Sequence, residues 1–205
     1  MHISEGVLSA PVLITGTGLG LAGVAVGLKK MDYERLPLVA VFSAVFFVAS
    51  LVRMPLGPTS VHLLLPGVCG LVLGWSAFPA ILVGLTLQAL LFQHGGLTVL
   101  GTNTFIMAAP AVLLGLLCGK ALRNDQRLIR AVFEFICGAG AVLLSGCLVA
   151  LALMATDRAF SANAYLVILT HTVVMLVEGA LTILIVEFVR RVRPEMLPAY
   201  SRSRD

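Results

Sequence analysis

The sequence predicts an all-α membrane protein built as a single bundle of about seven transmembrane helices. Of its 205 residues, 59% are hydrophobic and only 12% are charged, whereas soluble domains carry about 25% charged residues. The mean hydropathy is +1.03, and the apolar residues are gathered into long runs. One transmembrane domain covering residues 1–205 is therefore expected.

Seven apolar stretches are long enough to cross a bilayer or nearly so, since a spanning helix needs about 20 apolar residues. They cover approximately residues 7–28, 36–52, 61–73, 78–92, 104–122, 131–156 and 165–189, followed by a basic tail at 190–205. The third is short and contains Pro66, Gly67, Gly70 and Gly74. An irregular third helix is predicted, which lipid tolerates only where protein or a cavity covers it.

The distribution of positive charge predicts the orientation. Seven crossings put the two ends on opposite sides, and an outer amino terminus would leave only Arg53 and Arg158 outside among the 14 lysines and arginines. Because positive residues concentrate on the cytoplasmic side, the amino terminus is expected outside and the carboxyl terminus in the cytoplasm. No cleavable signal peptide is expected, since the start lacks a basic segment and the first apolar run is too long. Arginines and lysines that flank apolar segments also argue against a nucleic-acid partner.

Two nucleotide-binding patterns are rejected. Residues 18–23 fit G-x-G-x-x-G but lie inside a membrane helix with no preceding strand. Residues 115–121 resemble a phosphate loop, yet Ala121 stands where serine or threonine is required. No ATPase site of its own is expected in this chain, and an enzyme is not predicted.

The opening residues Met1 and His2 could chelate a metal. The terminal amine, the backbone nitrogen of His2 and one imidazole nitrogen can close two fused rings. If the amide deprotonates, these three nitrogens are coplanar, and a fourth donor completes a square. Such a site suits Ni(II) or Cu(II) rather than tetrahedral Zn(II). The alternative is that Met1 is an ordinary start residue and that His2 follows it by chance, without binding a metal.

Two further histidines are expected on the same outer face. His62 is predicted to open the third helix with Ser60 as its N-cap, and Pro66 cannot donate to the His62 carbonyl four residues earlier. A histidine just inside a membrane helix tends to face a cavity, although a hydrogen bond to a loop is an alternative. His94 lies in a loop over residues 93–103, which also contains Asn103. This loop could fold as a lid whose polar groups support metal ligands, or could be an ordinary glycine-rich connection.

Other polar and small residues in the spans allow two interpretations each. His171 and Glu178 share a face of the seventh helix and could form a relay or a hydrogen bond that stabilises the bundle. Glu187 is expected to be solvated near the cytoplasmic end. The glycine pairs at 16 and 20 and at 23 and 27 let helices approach closely, either within the bundle or against a membrane partner.

Three stretches together resemble the CbiM/NikM family, the substrate-binding membrane subunits of energy-coupling-factor (ECF) transporters for cobalt and nickel. They are Met1-His2-Ile3-x-Glu5-Gly6, then Ser60-Val61-His62, and the segment from Leu87 to Met107 that contains His94-Gly95-Gly96-Leu97-Thr98 and Gly101-x-Asn103. The resemblance covers nearly the whole chain. Ile106 departs from the pattern, since many relatives carry asparagine there.

The resemblance implies a set of metal ligands. The Met1 amine, the backbone and side-chain nitrogens of His2, and the His62 side chain would hold the ion, with His94, Ser60 and Asn103 as possible supports for the ligands. The glycine-rich loop would brace an amino terminus tucked into the bundle. The bound ion would be the substrate, Ni(II) or Co(II), and no cofactor is implied.

The resemblance also implies partners and a location. A transmembrane scaffold subunit, cytoplasmic ATPase subunits and a small accessory membrane subunit would accompany this chain in a prokaryotic cytoplasmic membrane. The expected function is high-affinity capture of Ni(II) or Co(II) outside and ATP-driven import. One alternative, an intramembrane metalloenzyme, would need an open coordination position and a general base, and no H-E-x-x-H motif lies beside His62. The other, a stand-alone carrier, would predict inverted repeats, which are not evident.

Overall fold

Seven α-helices account for most of the described chain. The computed structural model describes the backbone of residues 3–56, 59–157 and 161–198, and the side chains of residues 3–52, 62–157 and 171–198. The helices are α1 (Ala10–Lys29), α2 (Leu36–Ala49), α3 (Pro66–Leu73), α4 (Ala77–Phe92), α5 (Leu100–Cys118), α6 (Arg127–Thr156) and α7 (Ser161–Val192).

The helical membrane fold predicted from composition is confirmed. Five described segments are long and apolar enough to cross a membrane: Ala10–Lys29, Pro66–Phe92, Leu100–Arg123, Arg127–Thr156 and His171–Val192. The second of these joins α3 and α4 through a short 3-10 turn, Gly74–Ser76. The helix α2 has 14 residues and is shorter than a typical span.

A short β-hairpin precedes α3 and corrects one prediction. Strand β1 (Arg53–Leu56) pairs antiparallel with β2 (Thr59–His62), and Arg53 lies opposite His62. The prediction that His62 opens the third helix, with Ser60 as N-cap, is therefore wrong. The helix begins at Pro66 because proline is well suited to a first helical position, where its missing N–H has no partner to lose.

Glycines on α1 pack inside the bundle, which decides between the two interpretations of the glycine pairs. A Cβ at Gly16 would collide with Thr102, and one at Gly20 would overlap the backbone carbonyl of Gly101. One turn and two turns further on, Gly23 lies against Phe78 and Gly27 against the carbonyl of Trp75. The close approach of α1 to α5 fixes the start of α5, which carries Asn103.

The opposite end of the bundle is closed by charged residues. Arg35 donates to the carbonyl of Val72 at 3.2 Å and to that of Met196, so the segment after α7 is tied to the end of α3. Arg130 donates to Glu187 at 3.0 Å. The expectation that Glu187 is solvated is wrong: its side chain is buried between Arg130 and Arg190.

Candidate metal centre

The first described residue docks onto the beginning of α5. The Ile3 N–H donates to Asn103 Oδ1 at 3.1 Å, and Asn103 Nδ2 donates to the Ile3 carbonyl at 3.0 Å. Both residues are buried. The asparagine side chain thus pairs with the backbone of residue 3 as a neighbouring strand would. Both the N–H and the carbonyl of Ile3 have a partner in this side chain.

Apolar packing holds Ile3 in the same place. Its side chain is buried in a cluster with Ile106, Val149 and Leu153. Ile106, which departs from the family pattern, lies one turn after Asn103 on α5. It contributes apolar contact to the docked segment, which is already hydrogen-bonded through Asn103.

Glu5 fastens the segment to the glycine-rich loop. Its N–H donates to the Gly95 carbonyl at 3.0 Å, and its Oε1 accepts from the N–H and the hydroxyl of Thr98 at 2.9 and 3.1 Å. The backbone hydrogen bond from Thr98, followed by that from its hydroxyl, lowers the pKa of the Glu5 carboxyl. At Gly96, where φ is +127°, a Cβ would overlap the Glu5 side chain, so this contact requires glycine.

The structure brings His62 and His94 together. Their ring centroids are 5.6 Å apart with the rings inclined at 67°. His62 is the last residue of β2. His94 follows the end of α4, where Gln93 adopts a left-handed conformation, and its N–H donates to the Gln88 carbonyl at 3.3 Å. Both imidazoles are partly exposed.

Glu178 on α7 holds the chain just after His62. Its Oε1 accepts from the N–H groups of Leu64 and Leu65 at 2.6 and 3.0 Å, and its Oε2 accepts from Leu65 at 3.0 Å. The carboxylate is fully buried. The sequence suggested that Glu178 forms a relay or a stabilising hydrogen bond with His171, and it could not identify as partners two backbone N–H groups more than 110 residues away.

Several predicted site residues lie outside the described part of the molecule. Met1, His2 and the Ser60 side chain are among them. In residues 3–52, 62–157 and 171–198, no group of three or more His, Cys, Asp or Glu side chains is arranged to hold a metal ion.

Comparison with known proteins identifies the family. The family model described as "Cobalt uptake substrate-specific transmembrane region", CbiM, matches residues 2–196. The chain belongs to the CbiM family. It is thus a multi-pass membrane protein in a family of substrate-specific components for the uptake of cobalt and nickel.

Individual relatives agree with membership of the CbiM family. A protein of Haemophilus influenzae named as a metal transport protein is 38% identical over 202 residues, covering 96% of this chain and 97% of the relative. The fused nickel transport protein NikMN of Rhodobacter capsulatus is 33% identical over 156 residues, covering 70% of this chain and 45% of the relative. A solved structure described as a truncated transition metal transporter has the same fold, with a TM-score of 0.71 at 24% identity, covering 93% of this chain and 99% of that one.

Proposed function

We propose that this CbiM-family chain captures Ni(II) or Co(II) with high affinity at the outer face of the cytoplasmic membrane, as the substrate-binding subunit of an ECF transporter. The observation that carries the proposal is the docking of Ile3 on Asn103 through two hydrogen bonds. One peptide bond joins Ile3 to His2. Because residue 3 is already held in place, a chelator at the chain start loses less conformational entropy when it binds an ion.

The proposed ligands are the Met1 amine, the amide and imidazole nitrogens of His2, and the imidazole of His62. Two contacts support the choice of His62 as the fourth donor. Glu5 is bonded to Gly95, and His94, the residue before Gly95, lies 5.6 Å from His62 between ring centroids. The docked segment and the His62 side chain are thus linked through a single loop. Four nitrogens in a plane would suit Ni(II).

His94, Asn103 and Ser60 are proposed to support the ligands rather than to bind the ion. The hydrogen bond from the Ile3 N–H to Asn103 Oδ1 fixes the chain beside His2, and the His94 ring packs at an angle to the His62 ring. Residues that orient metal ligands in this way typically change affinity by about 10–100-fold when they are replaced.

Energy and assembly are proposed to come from partner subunits. The nickel-transport relative is a fusion, which supports a chain that works with further membrane components. The sequence contains no complete phosphate-binding loop, so we propose that cytoplasmic ATPase subunits drive import through a transmembrane scaffold. A small accessory membrane subunit completes the proposed assembly.

Metal binding by histidine variants tests the proposed site. Protein purified with an untagged start, verified as Met1 by intact mass, is titrated with Ni(II) and Co(II) by calorimetry. His62→Ala should cut the affinity severely, leaving the weaker binding of the three nitrogens of Met1 and His2, while His94→Ala should cost about 10–100-fold. His171→Ala, which removes a histidine from α7, serves as the matched control and should bind as the wild type does. Near-normal binding by His62→Ala would move the site elsewhere.

Transport in reconstituted vesicles tests the proposed energy source. Uptake of the ion should require the scaffold, the ATPase subunits and ATP together. Uptake by this chain alone would favour the stand-alone carrier.

A further inference from the structure

The segment that follows His62 is held in a conformation that its sequence does not favour. Leu65 has φ +54° and ψ 39°, in the left-handed region. Residues other than glycine rarely adopt this backbone conformation, and bulky residues such as leucine adopt it least. It is one of only two non-glycine residues with positive φ in the described parts of the chain. Such a conformation persists where surrounding contacts determine it.

Glu178 supplies contacts that determine this conformation. Leu65 donates to both oxygens of the carboxylate at 3.0 Å, and Leu64 donates to Oε1 at 2.6 Å. These N–H groups immediately precede Pro66, the first residue of α3. The carboxyl group therefore faces the end of α3 at which the helix dipole is positive.

A second tie fixes the chain at His62 and at the residue after it. The N–H of Leu63 donates to the Val52 carbonyl at 3.3 Å, and the hairpin pairs His62 with Arg53. His62 therefore ends a hairpin that is anchored to the residues after α2, and the turn that follows it is anchored to α7. The direction of its Cα–Cβ bond depends on both.

We infer that Glu178 is a positioning residue for His62, holding the chain at Leu64 and Leu65 so that the His62 imidazole reaches the ion. This inference rests on the proposed function, in which His62 is a ligand. Glu178 contacts the backbone two residues after His62 and acts on the ion only through that histidine. Loss of a supporting hydrogen bond of this kind typically lowers metal affinity about 10–100-fold.

Two substitutions differ in how much of the support they remove. In Glu178→Gln, one oxygen remains to accept from Leu64 and Leu65, but the contact made by Oε2 is replaced by an amide that cannot accept. Glu178→Ala removes all three contacts. Glu134→Gln is the matched control, because Glu134 is another fully buried carboxylate of the bundle and no hydrogen bond joins it to the described residues beside His62.

The experiment measures Ni(II) affinity, the absorption spectrum of the bound ion and the thermal midpoint in detergent for each variant of the full chain. Glu178→Gln should bind about tenfold more weakly and Glu178→Ala about 100-fold more weakly, with Glu134→Gln within twofold of wild type. Nickel bound to Glu178→Ala should give a spectrum shifted toward that of His62→Ala. A reduced thermal midpoint in a Glu178 variant that still binds as the wild type does would overturn the inference, because it would show a structural role only.

The double variant separates this inference from the proposed function. If Glu178 acts through His62, then His62→Ala combined with Glu178→Gln should bind no more weakly than His62→Ala alone. Losses that multiply would overturn the positioning role while leaving His62 as a ligand. If His62→Ala itself binds as the wild type does, the proposed ligand set fails and the inference fails with it.

Discussion

Ile3 and Asn103, 100 residues apart, exchange two hydrogen bonds, with Ile3 donating at 3.1 Å and Asn103 donating at 3.0 Å. Because the amide side chain both donates and accepts, no smaller or apolar residue at position 103 can replace it. The pair converts an apolar chain start into a fixed part of the bundle. It also joins two of the three stretches on which the family resemblance depends.

Replacing Asn103 should therefore loosen the chain start and weaken metal binding. Asn103→Ala is expected to lower Ni(II) affinity about 10–100-fold and to increase hydrogen exchange in a peptide covering residues 3–8. Thr104→Val is the matched control, since Thr104 is also buried but its hydroxyl donates within α5, to Leu100. Unchanged exchange in Asn103→Ala would contradict the anchoring role.

The contact between Glu5 and Thr98 should survive mild acid. Hydrogen bonds to the charged carboxylate lower the pKa of Glu5 from its ordinary value of 4.5, so the contact is fully formed above that value and is lost only as the pH falls through the lower folded pKa. A titration of the labelled Glu5 carboxyl by NMR, in protein without metal, should give a midpoint below 4.5. A midpoint at or above 4.5 would show that the contact with Thr98 is not formed.

A substitution of Glu5 offers an independent check on the same contact. Glu5→Gln should accelerate hydrogen exchange at Thr98 at neutral pH, because a neutral amide is a weaker acceptor than a carboxylate. Glu34→Gln, at an exposed glutamate beyond α1, should leave this exchange unchanged. Equal exchange in the two variants would contradict the prediction.

Two glycines on α1 should respond differently to alanine. At Gly20 a Cβ would overlap the Gly101 carbonyl, whereas at Gly18 nothing lies within 4 Å. Gly20→Ala should destabilise the protein by about 1–3 kcal/mol, as overpacking does. Gly18→Ala should leave stability equal or slightly higher, because alanine favours the helix. Thermal unfolding in detergent makes the comparison, and equal midpoints would contradict the close packing of α1 on α5.

The buried ion pair at the far end of the bundle should matter more than an exposed one. Arg130→Ala removes one of the two arginine partners of the buried Glu187, so the cost should be appreciable but below the roughly 3–5 kcal/mol typical of a buried charge left with no partner. Arg193→Ala breaks the exposed pair with Glu195, which is worth about 0–1 kcal/mol. Chemical denaturation in detergent should rank the two variants in that order, and similar losses would mean that water reaches the Arg130 pair.

Hydropathy predicted the helical segments well because each contains a continuous apolar run long enough for a helix. The prediction failed at His62 because an apolar run such as Val61 and Leu63–Leu65 fits a strand and turn as well as a helix. Pro66, at which the helix begins, lies after this run. The burial of Glu187 could not be predicted either. Its neighbour Arg190 is close in sequence, but Arg130, which completes the buried pair, lies 57 positions away.

The sequence likewise predicted only part of the candidate site. The docking of residues 3–5 on the glycine-rich loop and on Asn103 agrees with what the family resemblance implies. The proximity of His62 to His94 agrees with their expected placement on one face of the bundle. The contact of Glu178 with Leu64 and Leu65 was not predicted. Backbone N–H groups carry no signature in a sequence, so only the fold could reveal which ones this carboxylate meets.

The most direct test compares two forms of the protein that differ at the amine alone. One begins at an unmodified Met1, and the other carries an acetyl group on the Met1 nitrogen, with both starts verified by intact mass. We predict that the first binds one Ni(II) per chain with the yellow absorption of a planar, four-nitrogen site, and that the acetylated form loses this spectrum and high-affinity binding. The same affinity and spectrum in both forms would contradict the amine as a ligand.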